Sequence, residues 1–283
     1  EFAFHTFSKN KRIVKTLNLL CYDYTQIYKP YKNMDLKNKF DYSIVFLCYN
    51  QIEYTKKCIE SMVKNKEDLS RLVVIDNAST DNTKEYLESL PIGDLILNKT
   101  NLGIGTAFNQ GILSFQSEWT IIINNDVIVS KNWIDNLLTS AVKNNLKVIS
   151  SALIEGDLDY NFESFALKAS SKMKEYICLN ARQAVCMAIH ESVWREVGYF
   201  RATPKLLGYE DTLFFHELDQ AGIKTAITGS SWLHHFGSIT QSAMKKERGM
   251  KNSDSLADRH NSNLLQQSWI NRKLEKIRKK KLG

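Results

Sequence analysis

The chain has 283 residues, of which 43% are hydrophobic and 24% are charged, a composition that is typical of a folded globular protein and excludes a disordered or fibrous one. No stretch approaches the roughly 18 to 20 consecutive apolar residues of a membrane span, and the N-terminus lacks the layout of a signal peptide. The five cysteines are odd in number and form no CxxC pair, which argues against a disulfide framework or a zinc cluster. We therefore expect a cytoplasmic protein with free thiols.

The net charge of +7 is partly concentrated at the two ends of the chain, at residues 9–12 and 272–281. A solvated basic face is one interpretation of these ends. Contact with an anionic membrane surface or an acidic partner is the other, and it would place the protein at the inner face of the membrane. We expect no nucleic-acid partner.

Residues 41–130 alternate short apolar runs with stretches of helical character, which predicts βα units around a mostly parallel sheet. The predicted strands are residues 43–48, 71–76, 94–97 and 119–124, and the predicted helices are residues 54–64, 80–90 and 105–115. Ser79 or Thr80 is the predicted N-cap of the second helix. Ligands bind at the carboxyl ends of such strands, so the polar residues that follow them should converge on one cleft.

The second half, residues 131–240, is less regular. Its predicted elements are helices at 133–143, 191–197 and 211–221 and a short strand at 225–227. We interpret this half as the acceptor side of one domain that spans residues 41–240. Residues 1–40 are basic and tyrosine-rich and residues 241–283 end in a basic stretch, so both are predicted to be helical extensions.

The first motif that carries chemistry is Asp76-Asn77-Ala78-Ser79-Thr80-Asp81, directly after the second predicted strand. A carboxylate at such a strand end can accept hydrogen bonds from a ribose or a base, as in other nucleotide-binding α/β folds. The same residue types also form turns and cap helices. A purely structural turn is therefore the alternative.

The second motif is Asn101-Leu102-Gly103-Ile104-Gly105. Glycines beside a helix start let backbone N–H groups approach a diphosphate. The dinucleotide spacing GxGxxG is absent, because the next glycine is Gly111. A tight structural loop is the alternative.

The third motif, Asn124-Asn125-Asp126, ends the fourth predicted strand. A carboxylate with neighbouring amide oxygens suits Mg²⁺ or Mn²⁺, which keep positions open for substrate phosphates. A loop cap is the alternative.

The fourth motif is Gly208-Tyr209-Glu210-Asp211, at a predicted helix start. Acidic residues in a first helical turn complement the helix dipole. An adjacent carboxylate pair can also divide two tasks, because one residue can bind an acceptor while the other takes its proton as general base.

The fifth motif contains His234-His235, after Trp232 and Leu233. A histidine here could bind a metal or donate to a phosphate, or it could be a satisfied structural group. Because neighbouring residues point to different sides, the sequence leaves open which of the two reaches the site.

In its order and in most of its spacing, this series resembles family 2 of the glycosyltransferases, inverting enzymes of the GT-A fold, over about residues 41–240. The Asn-Asn-Asp version of the family's DxD motif is similar to that of enzymes acting on cell-surface polysaccharides, rhamnosyltransferases among them, and on glycoproteins. The resemblance implies an α/β fold with a mostly parallel central sheet flanked by helices.

The resemblance also implies roles for individual residues. The implied nucleotide-sugar site comprises Cys48, Tyr49, Asn50, Asp76, Asn101, Gly103, Asn124 and Asn125. Asp126 would bind Mn²⁺ or Mg²⁺ with His234 or His235, Asp211 would be the catalytic base and Glu210 its companion. The implied reaction transfers a hexosyl or deoxyhexosyl group from a nucleoside-diphosphate sugar, with UDP or dTDP expected first, to a glycan or glycoprotein acceptor.

On the acceptor side the chain departs from the family. Leu213 and His216-Glu217 stand where another acid and an arginine are usual, and Arg201 ends a stretch that usually ends in aspartate. These departures keep a second interpretation open, a non-catalytic glycosyltransferase-like scaffold that binds a nucleotide. A sugar nucleotidyltransferase is the weaker third, because residues 48–51 form no glycine-rich basic loop.

Overall fold

The computed structural model describes residues 40–201, 210–247 and 249. The described strands are β1 Tyr42–Cys48, β2 Leu72–Asp76, β3 Asp94–Leu97, β4 Trp119–Asn124, β5 Val127–Val129, β6 Val148–Glu155, β7 Ile177–Leu179, β8 Cys186–His190 and β9 Thr225–His235. The described helices are α1 Ile52–Lys64, α2 Thr83–Glu88, α3 Ile104–Ser114, α4 Trp133–Lys143, α5 Phe162–Lys172, α6 Glu191–Val197, α7 Glu210–Gln220 and α8 Ile239–Glu247. The predicted extensions lie outside the described residues, except for residue 40 and residues 241–247 and 249.

The described strands form one mixed sheet in the order β3-β2-β1-β4-β8-β6-β9-β5, with β7 beside β9. Pairing is parallel from β3 through β4 and turns antiparallel between β4 and β8. β6 then runs parallel to β9 and antiparallel to β8. The predicted α/β fold, a central sheet flanked by helices, is confirmed, and the predicted parallel pairing holds for its first half.

The neighbouring strands β2, β1 and β4 are mostly apolar because helices cover both faces of the sheet. Successive residues of a strand point to opposite faces. Phe46 packs with Trp133 of α4 on one face, and its neighbour Val45 packs with Phe108 of α3 and Phe214 of α7 on the other. The register places Cys48 opposite Asp76 and Leu47 opposite Asn124. The polar loops after β1, β2 and β4 therefore open at one edge of the sheet.

The prediction that the second helix begins at residue 80 with a Ser79 or Thr80 cap is wrong, because α2 begins at Thr83. Ser79 and Thr80 are engaged elsewhere: the Ser79 hydroxyl accepts the Asn50 N–H at 2.7 Å, and the Thr80 N–H donates to Asn50 Oδ1 at 2.7 Å. Asp81 Oδ1 instead accepts the first helical N–H, that of Thr83, at 3.1 Å. The polar residues after β2 thus bind the loop after β1.

The predicted strand at 225–227 is the beginning of the much longer β9. Its middle, Thr228-Gly229-Ser230-Ser231, contains a register shift against β6. These residue types are typical of a polar loop. The hydroxyls there are satisfied in the interior, since Ser230 lies 2.8 Å from the Ser140 hydroxyl of α4. β5, β6, β7, β8 and α5 had no predicted counterpart, and α8 overlaps the predicted C-terminal extension from residue 241 onward.

Within the described ranges, no helix is long and apolar enough to cross a membrane. The four cysteines there, Cys48, Cys58, Cys178 and Cys186, are buried and form no disulfide.

Candidate active site

A cleft of about 460 Å³ opens at the carboxyl ends of β1 and β4. The structure brings many of the predicted site residues to its walls. These are Tyr49, Asn101, Asn124, Asn125, Asp126, Glu210, Asp211 and His235. The remaining predicted site residues do not line the cleft. These are Cys48, Asn50, Asp76, Gly103 and His234.

Two of the predicted nucleotide-binding side chains are engaged with their own chain. The Cys48 thiol is fully buried, its sulfur accepts the Thr55 hydroxyl at 3.8 Å, and burial raises its pKa well above the usual range. The Asp76 carboxylate, 3% exposed, accepts the Ser79 N–H at 3.3 Å and also the Ser79 hydroxyl. Burial raises the pKa of Asp76, and the bonds from Ser79 partly offset this effect. In this arrangement Asp76 holds a turn, which was the alternative interpretation of its motif.

The loop before α3 is held by asparagine side chains. Asn77 Oδ1 accepts the Leu102 N–H at 3.0 Å, Asn101 Oδ1 accepts the Gly103 N–H at 3.0 Å, and Asn77 Nδ2 donates to Asn101 Oδ1 at 2.8 Å. Two backbone N–H groups that were candidates for a phosphate are therefore already bonded. Asn77 itself lines the cleft. Its place in the strand-end motif was the signal that could have added it to the predicted site.

Asn124 ends β4, and Asn125 and Asp126 follow it at the floor of the site. Asn124 is half-buried, whereas Asn125 and Asp126 are 5% and 4% exposed. Asn125 Nδ2 donates to the Thr55 hydroxyl at 3.0 Å. The Asp126 carbonyl accepts the Phe236 N–H at 3.0 Å, and the next residue begins β5, which pairs with the end of β9. This pairing brings Asp126 beside the histidine motif.

His235 faces Asp126 across that pairing. His235 Nε2 and Asp126 Oδ1 lie 3.3 Å apart, and both atoms are buried without a hydrogen-bond partner. Burial lowers the pKa of His235, but the Asp126 and Glu155 carboxylates outweigh this effect and the net pKa is raised. These atoms form an ion pair when the imidazole is protonated, and they are suitable metal ligands when it is neutral.

A divalent cation fits these two atoms. Mg²⁺ and Mn²⁺ are commonly held by one or two protein groups, with substrate phosphates and waters completing the coordination. Within residues 40–201, 210–247 and 249, no group of three or more His, Cys, Asp or Glu side chains could hold a metal alone. Asp126 and His235 thus match a metal that is shared with a phosphate ligand.

His234 points to the opposite side of β9. Its Nδ1 lies 3.0 Å from the Tyr160 hydroxyl, and its ring packs against Tyr160, Phe162 and Phe236. Burial lowers the pKa of His234 to about 4. Of the two histidines, the structure brings only His235 to the cleft.

Glu210 and Asp211 open α7 on the other wall of the cleft. Glu210 is 6% exposed, whereas Asp211 is exposed and accepts the Thr212 N–H at 2.7 Å. The approach of α7 depends on Gly105, because a Cβ there would lie 2.9 Å from Glu210 Cγ and 2.8 Å from the Arg201 carbonyl oxygen. Gly105, a glycine of the second motif, thus lets the two walls meet.

α8 was not predicted to lie at the site. This helix and the turn before it add Ser238, Thr240, Gln241, Met244 and Lys245 to the walls. Among the lysines and arginines of the described ranges, Lys245 alone lines the cleft. The predicted boundary at residue 240 falls inside α8, and for that reason Lys245 was assigned to an extension. Its closeness in sequence to His234-His235 was the only feature that could have placed Lys245 at the site.

The family model described as Glycosyl transferase family 2 matches residues 43–213, more than half of the 283 residues. The chain belongs to glycosyl transferase family 2. Within the curated proteins, this family 2 chain is similar to an uncharacterized glycosyltransferase of Haemophilus influenzae, with 29% identity over 106 residues. That match covers 36% of this chain and 33% of the relative, so the chain spans about a third of the relative's length.

Solved structures of glycosyltransferases share the fold. GalNAc-T7 with UDP, GalNAc and Mn²⁺ has a TM-score of 0.55 at 16% identity, over 70% of this chain and 44% of that chain. The mannosyltransferase PcManGT from Pyrobaculum calidifontis with GDP-Man and Mn²⁺ has a TM-score of 0.54 at 14% identity, over 83% and 66%. The predicted GT-A fold is confirmed by these likenesses.

Proposed function

We propose that this chain is a metal-dependent, inverting glycosyltransferase that moves a sugar from a nucleoside-diphosphate sugar to a hydroxyl of an acceptor. One observation carries the proposal: two buried atoms, Asp126 Oδ1 and His235 Nε2, lie 3.3 Å apart without a hydrogen bond in the cleft that Asp211 also lines. Membership of family 2 supports it. So do the similar structures, which hold UDP or GDP-Man together with Mn²⁺.

The donor would occupy the wall formed by the strand-end loops. Tyr49, Asn77, Asn101 and Asn125 offer it hydrogen-bonding groups. Asp126 and His235 would hold the divalent cation, which when bound neutralises charge that develops on the leaving diphosphate. Lys245 of α8 would neutralise part of the same negative charge. Without these cations the described walls carry the carboxylates of Asp126, Glu210 and Asp211, which would repel a diphosphate.

Asp211 would act as general base. It takes the proton of the acceptor hydroxyl while that oxygen forms a bond to the anomeric carbon of the sugar. The bond from this carbon to the diphosphate oxygen breaks, and its electron pair leaves with the nucleoside diphosphate. Attack on the face opposite to the leaving group inverts the configuration. Glu210, packed against α3, would fix the first turn of α7 and thereby the position of Asp211.

The finer substrate assignment rests on the Asn-Asn-Asp motif and its resemblance to rhamnosyltransferases and related enzymes. It favours a hexosyl or deoxyhexosyl donor carried by UDP or dTDP, and an acceptor in bacterial surface polysaccharide or protein glycosylation. The basic termini that would contact a membrane lie outside the described residues. Incubation with UDP-, GDP- and dTDP-sugars in Mn²⁺, followed by mass spectrometry, tests this assignment. Tight donor binding without turnover of any donor would favour the non-catalytic scaffold.

The base assignment is tested by Asp211→Asn. The amide cannot accept the proton, so turnover should fall by about 10²- to 10⁴-fold, the usual contribution of a general base. Donor affinity should stay at the wild-type value, because the substituted group acts on the acceptor. Asp135→Asn is the matched control, since Asp135 is also an exposed aspartate in a first helical turn. Wild-type turnover in Asp211→Asn would show that another group is the base.

A further inference from the structure

The end of β6 lies beside the proposed metal pair. Glu155, the last residue of β6, is opposite His235 in the β6–β9 register. Glu155 Oε2 lies 3.4 Å from His235 Nδ1, whereas His235 Nε2 lies 3.3 Å from Asp126 Oδ1. The imidazole therefore has one carboxylate at each nitrogen. The two carboxylates differ in setting, since the Glu155 side chain is 56% exposed and that of Asp126 is 6% exposed.

The backbone around Glu155 is arranged so that the carboxylate can reach the ring. The Gly156 N–H donates to the His235 carbonyl at 3.0 Å, which extends the pairing of β6 with β9 by one residue. Gly237 has a φ of 83°, a value that favours glycine. A Cβ at Gly237 would lie 3.2 Å from Glu155 Cγ and 3.3 Å from its Oε1. A side chain there would press on Glu155 and move it.

We propose that Glu155 is a positioning residue that accepts the Nδ1–H of His235 and thereby directs the Nε2 lone pair toward Asp126 and the metal. Neutral imidazole carries its proton on one nitrogen, and the partner of that N–H decides which nitrogen is free to bind a metal. Metal-binding histidines almost always donate their second N–H to a carboxylate, a carbonyl or a water. This role rests on the proposed function, because it requires a metal at Asp126 and His235.

Metal affinity tests the role without using turnover. The full chain is titrated with Mn²⁺ in the presence of UDP, and free Mn²⁺ is followed by its electron paramagnetic resonance signal. Glu155→Gln keeps the size of the side chain and removes its charge, so we expect Mn²⁺ binding to weaken about 10- to 100-fold. Glu155→Asp keeps the charge on a shorter side chain and should recover part of this loss. The control is Glu88→Gln, an exposed glutamate of α2 outside the cleft.

The outcomes separate the role of Glu155 from the proposed function. If the wild type binds Mn²⁺ and Glu155→Gln binds it as tightly as Glu88→Gln does, Glu155 has no positioning role and the metal site stands. If the wild type binds no Mn²⁺ with UDP, the metal-dependent function fails and the role of Glu155 falls with it. Matching thermal unfolding of Glu155→Gln and the wild type would show that a weaker affinity does not reflect a folding defect.

The nitrogen NMR spectrum of protein labelled with ¹⁵N-histidine shows directly which ring nitrogen of His235 carries the proton. The signals of His235 are those that disappear in His235→Gln, and spectra are taken without metal at a pH where the imidazole is neutral. We expect the Nδ1–H tautomer in the wild type and in Glu88→Gln, and a mixture containing the Nε2–H tautomer in Glu155→Gln. A purely structural Glu155 would not change the tautomer. A wild type that carries its proton on Nε2 would overturn the proposal.

Discussion

The two halves of the domain hold their parts of the cleft in different ways. In the proposed donor half, residues 41–130, the loops after parallel strands are bonded to one another, as between Asn50 and Thr80. In the proposed acceptor half, α7 reaches the cleft through close contact with α3, at Gly105. The adjoining loop is held there as well, since Asn109 Nδ2 donates to the Phe200 carbonyl at 2.7 Å. The donor wall is thus fixed locally, whereas the acceptor wall depends on contact between distant segments.

The proposed metal pair joins the two halves, since Asp126 follows β4 and His235 ends β9. Among the variants, Asp126→Ala should therefore have the largest effect, because it disrupts the ion that the two halves share. It removes one of two proposed ligands, so Mn²⁺-dependent binding of UDP should weaken by more than the roughly 10- to 100-fold cost of losing an outer-shell partner. Calorimetry of UDP binding with and without Mn²⁺ measures this loss.

The matched control for this change is Asp135→Ala, an exposed aspartate of α4. It should bind UDP as the wild type does in both buffers. Equal UDP affinity for Asp126→Ala and Asp135→Ala with Mn²⁺ present would mean that Asp126 holds no metal. In that case the two halves would meet in the cleft without a shared ion.

Substitutions at two glycines of α3 test the two regions separately. Gly105 faces the proposed acceptor half, and Gly111 faces the sheet. In Gly105→Ala the new Cβ would press on Glu210 and the Arg201 carbonyl. We expect the acceptor wall to move, with kcat/KM falling by about 100-fold, the effect of a misplacement near 1 Å. The free energy of unfolding should also fall through overpacking, and the better helix propensity of alanine should offset part of this loss.

Gly111→Ala is the counterpart. Its Cβ would lie 2.5 Å from Val45 Cγ1 and 2.6 Å from Ile75 Cδ1, both in the buried sheet. Overpacking of this kind lowers the free energy of unfolding by about 1–3 kcal/mol, while transfer per folded molecule should be retained. Denaturant unfolding and initial rates measure the two effects. Equal losses of activity in both variants would contradict a separate acceptor wall.

The same contrast explains how much the sequence could predict. The strands 94–97 and 119–124 were predicted with the bounds that the structure has, because each is a short apolar run flanked by polar turn residues. β6 and β9 carry Ser150-Ser151 and Ser230-Ser231 inside the sheet. Their hydroxyls are satisfied by residues distant in the chain, for example Ser151 by Ser231 at 2.8 Å. Such bonds leave no periodic signal in a single sequence.

For the site, local sequence again predicted the donor side better. Tyr49, Asn124 and Asp126 were predicted because they lie at the ends of strands or directly after them. Lys245 was not predicted, because only the turn into α8 brings it to the cleft. Glu155 was not predicted, because only the pairing of β6 with β9 brings it beside His235. The sequence left open whether His234 or His235 reaches the site for the same reason, since the answer depends on which face of β9 meets β5 and which meets α5.

The smallest expected effect concerns the donor wall alone. Thr55 is fully buried on α1, and its hydroxyl accepts Asn125 Nδ2 at 3.0 Å. Thr55→Val keeps the shape and leaves this buried donor unsatisfied, so the free energy of unfolding should fall by about 1–3 kcal/mol. The UDP affinity should fall by less than about tenfold, equivalent to 1.4 kcal/mol, because the other asparagines of the wall keep their bonds.

Thr120→Val is the control, a buried threonine near the opposite end of β4 from the cleft. It should leave the UDP affinity at the wild-type value, whatever its effect on stability. If Thr55→Val weakens UDP binding no more than Thr120→Val does, the bond to Thr55 does not orient Asn125 toward the donor. If it weakens binding as strongly as Asp126→Ala, the donor wall is not fixed by many local bonds but depends on this one, and the contrast with the acceptor wall fails.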